Sequence, residues 1–365
     1  MRSGGVSSIY CSANPNRTDM ITFLVAGRND GYGINLHKRT AISLNFLASL
    51  CEDSNDEIIY VDCNTPAQDC TLAESIADTL TPEARRRLRI FRISGKQMLA
   101  AIGETPLPFS DELSRNVGIR RSNPKNPWLL STNCDILIQP LVHHSMNELL
   151  RDLPRRFYLC PRVAIPAPQW QMLDRMNVRQ MAEFCDGVLA QGVRLPAERE
   201  QPWLRFYSVG DFQLAPREQW FQIAGCEEGM KFWGHSDANN AKRLNLLNGG
   251  GRTPDLSDRL RVLHLDHNFA AGNAHQNIMI HNDWKRWIDD VTSPDSHNGK
   301  DWGLASEDIP EIRLPDLSAT DPQLILKTHR RQRNFWAQVK LHVATQFWKR
   351  AGGAANWLEK RLKGK

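Results

Sequence analysis

Arg115-Asn116-Val117-Gly118-Ile119-Arg120, followed by Trp128-Leu129-Leu130-Ser131-Thr132-Asn133-Cys134-Asp135-Ile136-Leu137, is the stretch on which the fold turns. It reads as a polar, glycine-bearing turn with two arginines, leading into an apolar run that ends on Asn-x-Asp. An apolar run bounded by turn residues is the pattern of a buried strand. Open α/β sheets bind ligands outside the carboxyl ends of their strands, and Asp135 falls there. A carboxylate in that place can hold a hard divalent cation, and Arg115 and Arg120 can face anionic oxygens. A cation beside arginines points to a nucleoside diphosphate. The same residues also describe a plain buried strand with a capping aspartate and surface arginines.

Upstream, residues 22–26 form an apolar first strand with Gly27-Arg28-Asn29-Asp30 as its terminal turn. Residues 34–50 place apolar side chains at helical spacing, as a covering helix does. Glu57-Ile58-Ile59-Tyr60-Val61-Asp62-Cys63-Asn64 is a second strand that ends in an acid. Strand, helix and strand in that order predict a parallel crossover. An acid at the tip of the second strand commonly holds a ribose hydroxyl or a base, and Asp62 is the residue for that role. A helix or turn cap is its plainer use.

Taken together, Val25 to Asn29, Ile58 to Pro66, Arg115 to Arg121 and Leu130 to Leu137 resemble a GT-A glycosyltransferase of the family-2 kind. The resemblance continues through Gly210-Asp211-Phe212, Trp233-Gly234-His235-Ser236-Asp237 and His264-Leu265-Asp266-His267, so it covers residues 21–270. It implies an α/β, Rossmann-like, mostly parallel sheet sandwiched by helices. It implies a hexosyltransferase-type enzyme that moves a sugar, with inversion, from a nucleotide-diphosphate donor to a hydroxyl of a glycan or lipid-linked acceptor. A UDP-sugar is the expected donor, Mn²⁺ or Mg²⁺ the expected cofactor, and synthesis of a surface polysaccharide or glycoconjugate the expected setting. Gly27, Arg28, Asn29 and Asp62 would contact base and ribose, and Asn116 and Arg120 would lie near the ribose or diphosphate. Asn133 and Asp135 stand where the family has Asp-x-Asp, so this chain offers one carboxylate in place of two.

By the same resemblance, a late histidine completes the metal shell, which makes His264 and His267 candidate ligands. Three-residue spacing in an extended segment aims the pair at opposite faces, so only one is expected at the ion unless a turn intervenes. The resemblance gives the catalytic base to Asp237, just ahead of the helix-like run from Ala238 to Leu247. A carboxylate at a helix start is favoured by the dipole, and it is also an ordinary N-cap. Asp211 is the second candidate, assigned to sugar or acceptor binding. Two other readings stay open: an inactive nucleotide-sugar-binding subunit, which Asn133 permits, and a nucleotidyltransferase on a similar sheet.

The 365 residues are 41% hydrophobic, enough for one large domain and an appendage. No apolar run is long enough for a membrane span, and residues 1–20 have the composition of a flexible arm without a signal-peptide core. Eight cysteines without a Cys-x-x-Cys pair suggest reduced thiols and a cytoplasmic setting. The glycosyltransferase domain is expected over 21–290, with a linker wrapping the body over 291–325. Residues 326–365 form a basic amphipathic helical tail by pattern. Eleven Lys or Arg stand there against Glu359 alone, on a body of net −5. Trp336, Val339, Val343, Phe347, Ala351, Ala354, Leu358 and Leu362 fall on one helical face, which suits an anionic membrane surface or docking on the body. No nucleic-acid module is visible, so no nucleic-acid partner is expected. Of the tail's two uses, membrane binding would make the chain a peripheral protein of the inner face of a membrane.

Overall fold

A computed structural model describes residues 19–33, 35–206, 209–267 and 280–314. The arm before residue 19 and the tail over 326–365, with the membrane role assigned to it, lie outside them.

The strands are β1 (Ile21–Gly27), β2 (Glu57–Cys63), β3 (Leu88–Ile93), β4 (Trp128–Thr132), β5 (Ile136–Pro140), β6 (Tyr158–Leu159), β7 (Arg162–Ile165), β8 (Phe212–Pro216), β9 (Leu260–Leu265) and β10 (Glu311–Ile312). The helices are α1 (Leu36–Ser49), α2 (Leu72–Ser75), α3 (Pro82–Arg87), α4 (Gly95–Ile102), α5 (Asp111–Arg121), α6 (Met146–Arg151), α7 (Ala167–Trp170), α8 (Val178–Ala190), α9 (Arg217–Gln222) and α10 (Ser236–Leu247). A main sheet has the order β10-β3-β2-β1-β4-β8-β6, and a small one the order β5-β9-β7. β3, β2, β1 and β4 run parallel, while β8 and β10 are antiparallel to their neighbours. The class is α/β with a mostly parallel central sheet, as the pattern of apolar runs predicts.

β1 and β2 are buried along their whole length, as strands covered on both faces must be. Their side chains alternate between two cores. Phe23, Val25, Ile58 and Tyr60 face α1 through Leu44 and Leu47, and Leu24, Ile59 and Val61 face α5 through Leu113 and Val117. Each such aliphatic side chain contributes about 1.5–3 kcal/mol by leaving water. A third cluster joins Ile42 and Phe46 of α1 to the small sheet and to Met181 and Cys185 of α8.

The stretch 115–120 corrects its first reading: it is helix α5, not a turn. Ser110 caps the helix by accepting the Leu113 N–H. Gly118 sits inside it because a Cβ there would lie 2.2 Å from Leu24 Cδ1 on β1. The glycine therefore marks a close helix–sheet approach. Residues 291–314 lie against the body: Trp302, Leu304 and Ile309 enter the α5 core, and β10 extends the sheet at β3. No described helix is long and apolar enough to cross a membrane. The seven described cysteines are all free thiols.

Candidate active site

β4 stops at Thr132 and β5 starts at Ile136, so Asn133-Cys134-Asp135 is where the chain changes sheets. β5 pairs antiparallel with β9, Ile136 opposite His264, and the Leu265 N–H donates to the Asp135 carbonyl at 2.9 Å. This register brings His264 to Asp135. β9 ends at Leu265, and Asp266 is then fixed from both sides. Its N–H donates to the Ile165 carbonyl and its carbonyl accepts the Trp170 indole N–H, both at 2.9 Å. The strand has ended at that point, so His267 can reach Asp135 as well. Asp135 Oδ2 lies 3.6 Å from His264 Nε2 and 3.3 Å from His267 Nε2. The expectation that the two imidazoles face opposite ways is thus corrected: the strand ends between them, and both face one carboxylate.

Gly33 makes room for this arrangement. Its φ is +69°, and a Cβ would lie 2.7 Å from His267 Nδ1. The Tyr32 ring meets His267 edge-on at 5.1 Å. All three triad residues are buried. One ligand atom from each falls within 4.8 Å of the others, so the three can hold a metal ion. Two ligands of one ion at about 2.1 Å stand about 3.0–3.5 Å apart, close to the separations seen here. Burial works against ionisation of Asp135, yet His264, then His267 and Arg39, hold its carboxyl well below the usual range. Burial lowers His267, whereas Asp135 lifts His264 against the same burial.

Arg39 went unnoticed in the sequence. It is carried by α1, fully buried, with Nε 3.6 Å from Asp135 Oδ2. With His37, Lys38 and Thr40 beside it, its sequence neighbours gave no sign that this arginine is buried.

Asn133 ties the triad to the second acid. Its Oδ1 accepts from Arg115 Nη2 at 2.8 Å, and its Nδ2 donates to Asp211 Oδ1 at 2.6 Å. Asp211 is buried and ion-paired with Arg162 at 2.9 Å, and burial raises its pKa despite that arginine. Asp237 stands next to this group, half-buried at the start of α10. Its Oδ2 accepts the Gly210 N–H at 3.2 Å, and its Oδ1 accepts the Ala238 N–H at 2.8 Å. Glu112, also unnoticed, is buried at the start of α5. Burial, followed by the Asp111 charge, pushes its carboxyl up to about 7, and Ser236 of α10 hydrogen-bonds to it.

The first-strand turn lies over the loop that follows β2. Gly27 is in register with Asp62, Arg28 Nε donates to the Asn64 carbonyl at 2.9 Å, and the Asn29 N–H donates to Thr65 Oγ1 at 2.9 Å. Asp62 is fully buried, and its Oδ2 accepts the Leu72 N–H at 3.0 Å at the start of α2. Burial raises its carboxyl to about 6.

Asn116 and Arg120 are both engaged with the chain itself. Asn116 Nδ2 donates to the Cys226 carbonyl at 2.8 Å and to Glu228 Oε1 at 2.9 Å. Arg120 donates to the Trp302 and Lys300 carbonyls and stacks over Trp302 at 4.0 Å. α5 leads back into parallel β4, so its last turn lies at the amino ends of the strands. There the Arg121 carbonyl accepts from Arg89, which pairs with Glu57 at the start of β2. Arg120 is on that end, away from Asp135.

No family model matches the chain, and no curated protein matches its sequence. Among solved structures, it is similar to the mannosyltransferase PcManGT from Pyrobaculum calidifontis in complex with GDP-Man and Mn²⁺. That likeness has 14% identity and a TM-score of 0.46, over 96% of this chain and 82% of that one. It is also similar to S. aureus TarS 1-349 in complex with UDP, with 14% identity and a TM-score of 0.41. GalNAc-T7 with UDP, GalNAc and Mn²⁺ follows at 12% identity and a TM-score of 0.43. The match takes in 68% of this chain and 60% of the TarS chain, and 69% of this chain and 45% of the GalNAc-T7 chain.

Proposed function

We propose that this chain is a metal-dependent glycosyltransferase that moves a sugar from a nucleoside-diphosphate donor to an acceptor hydroxyl with inversion. The observation that carries the reading is the meeting of Asp135, His264 and His267 where β4 passes into β5, at the carboxyl end of a parallel strand. The order of sequence motifs around that point supports it. Two imidazoles and one carboxylate favour Mn²⁺ over Mg²⁺, which prefers oxygen ligands. A bound ion would supply charge neutralisation for the leaving diphosphate.

The protein's own groups do the rest. Gly27, Arg28 and Asn29 form the wall for base and ribose. Asp62 is too deeply buried to reach a ribose directly and supports that wall by holding the start of α2. Asp237 takes the proton of the acceptor hydroxyl. The freed oxygen attacks the anomeric carbon, whose bond to the phosphate oxygen breaks, and the nucleoside diphosphate leaves with the electron pair. Asp211, locked between Asn133 and Arg162, keeps the floor beneath the reacting sugar in place. A cavity of about 540 Å³ lined by Arg162, Val163, Ala164, Arg194 and Leu195 opens beside β7, one strand from His264, and offers room for a glycan or lipid-linked acceptor.

The test is product analysis with a panel of UDP- and GDP-sugars and Mn²⁺. Release of nucleoside diphosphate together with a glycosylated acceptor supports the reading. Release of pyrophosphate points to a nucleotidyltransferase, and binding without turnover to an inactive subunit.

A further inference from the structure

Three of the carboxylates at and around the triad each face an arginine. Asp135 has Arg39, Asp211 has Arg162 at 2.9 Å, and Asp111 has Arg115 at 2.6 Å. Arg39 is no surface cation leaning inward. Its side chain is 0% exposed, and its Nη2 is anchored on the Tyr32 carbonyl at 3.1 Å. Three acids thus arrive with three arginines, and the triad's single carboxylate is the one that Arg39 opposes. Affinity for hard dications follows the number of anionic ligands. A free ion entering here would meet a site of little net charge, with a guanidinium against its only carboxylate. Two cations at that range in a low-dielectric interior repel far more than they would in water.

We propose that Arg39 is a positioning residue that makes the triad refuse the free dication and accept it only as the chelate of a nucleoside diphosphate. The inference rests on the reading of the triad as the metal site of a nucleotide-sugar enzyme. The diphosphate oxygens bring the negative charge that the protein withholds, so ion and nucleotide enter together and leave together. Between turnovers Asp135 is held by Arg39 and the imidazoles, and the triad keeps its shape with no ion present.

The test is titration of Mn²⁺ into the full-length protein, with bound ion read by its paramagnetic resonance signal. It is done with Mn²⁺ alone and with the preformed Mn²⁺ complexes of uridine and guanosine diphosphate. Free Mn²⁺ should bind at least about tenfold more weakly than one of the complexes, a difference of about 1.4 kcal/mol. Arg39→Gln should tighten free Mn²⁺ about tenfold, and Arg39→Lys, which keeps the charge, should not. Free Mn²⁺ binding to the wild type as tightly as the complexes overturns the proposal, as does an Arg39→Gln variant of wild-type melting temperature with unchanged affinity. If Arg39→Gln fails to fold, Arg39→Met, which keeps the length without the charge, takes its place, and unchanged free Mn²⁺ affinity in that variant overturns the proposal in the same way. Sugar transfer by a wild type that binds free Mn²⁺ tightly sinks the Arg39 proposal and leaves the transferase reading standing. Binding of the complex without any transfer does the reverse.

Discussion

Asp237 and Asp211 differ in what surrounds them, and that difference separates their roles. Asp237 is half-buried, accepts from two backbone N–H groups and has no arginine partner among the described residues, so its carboxylate is not committed to a cation there. Asp211 is buried, accepts from Asn133 and is paired with Arg162, so its carboxylate is already committed. Asp237→Asn should therefore lower kcat about 100-fold or more and leave nucleotide affinity in place, measured by steady-state kinetics and calorimetry. Asp211→Asn should act on stability instead, at about 2–3 kcal/mol in denaturant titration, because it breaks a largely desolvated pair. A fully stable Asp211→Asn protein that has lost turnover would move the base to Asp211. Asp62 yields a prediction in pH. Its carboxyl rises to about 6 when folded, against 3.8 for the ordinary group. The folded state thus holds a proton that the unfolded state has released between those two values. Stability falls as pH rises through that window, by an amount on the order of 2–3 kcal/mol. Asp62→Asn should flatten that part of the wild-type stability curve. An unchanged slope between pH 4 and 6 would show that burial does not shift Asp62.

Elements place these groups, and glycines set how closely the elements approach. Gly33 holds a left-handed turn against the His267 ring. Gly33→Ala adds about 1–2 kcal/mol of backbone strain and a methyl group where the ring lies. It should weaken Mn²⁺-dependent nucleotide binding more than it lowers the melting temperature, and equal loss in both would make the turn merely structural. The parallel strands were legible in the sequence because burial on both faces writes itself as unbroken apolar runs, as in β1 and β2. α5 was misread because Arg115, Asn116 and Gly118 look like a turn when nothing shows what they touch. The polar groups bond to the Asn133 and Cys226 segments, and the glycine admits Leu24. The convergence of His264 and His267 was out of reach for another reason. It depends on where β9 stops, and that is fixed by Asp266 bonding to Ile165 and Trp170, contacts remote in sequence.

At the scale of the whole molecule, two sheets meet at Asn133-Cys134-Asp135, and the candidate chemistry gathers at that junction. The large sheet supplies a rigid floor through β1, β2 and β4. The small one carries both histidines in on β9 and its end, and α1 brings Arg39 up beneath Asp135. Residues 291–314 close the far side through Trp302 and β10, where Arg120 and Arg121 hold them. The order of motifs along the chain reflects this junction well, whereas the pairing of Asp135, Asp211 and Asp111 with arginines emerges only on folding. The most direct measurement is the melting temperature of the full-length protein with nucleoside diphosphates, with and without Mn²⁺, in the wild type and in Asp135→Asn. At a nucleotide concentration about 100 times Kd, the wild type should gain about 2.7 kcal/mol of apparent stability with Mn²⁺ present and much less without it. Asp135→Asn should lose the Mn²⁺-dependent part. A nucleotide shift indifferent to Mn²⁺, or one that survives intact in Asp135→Asn, would contradict the account.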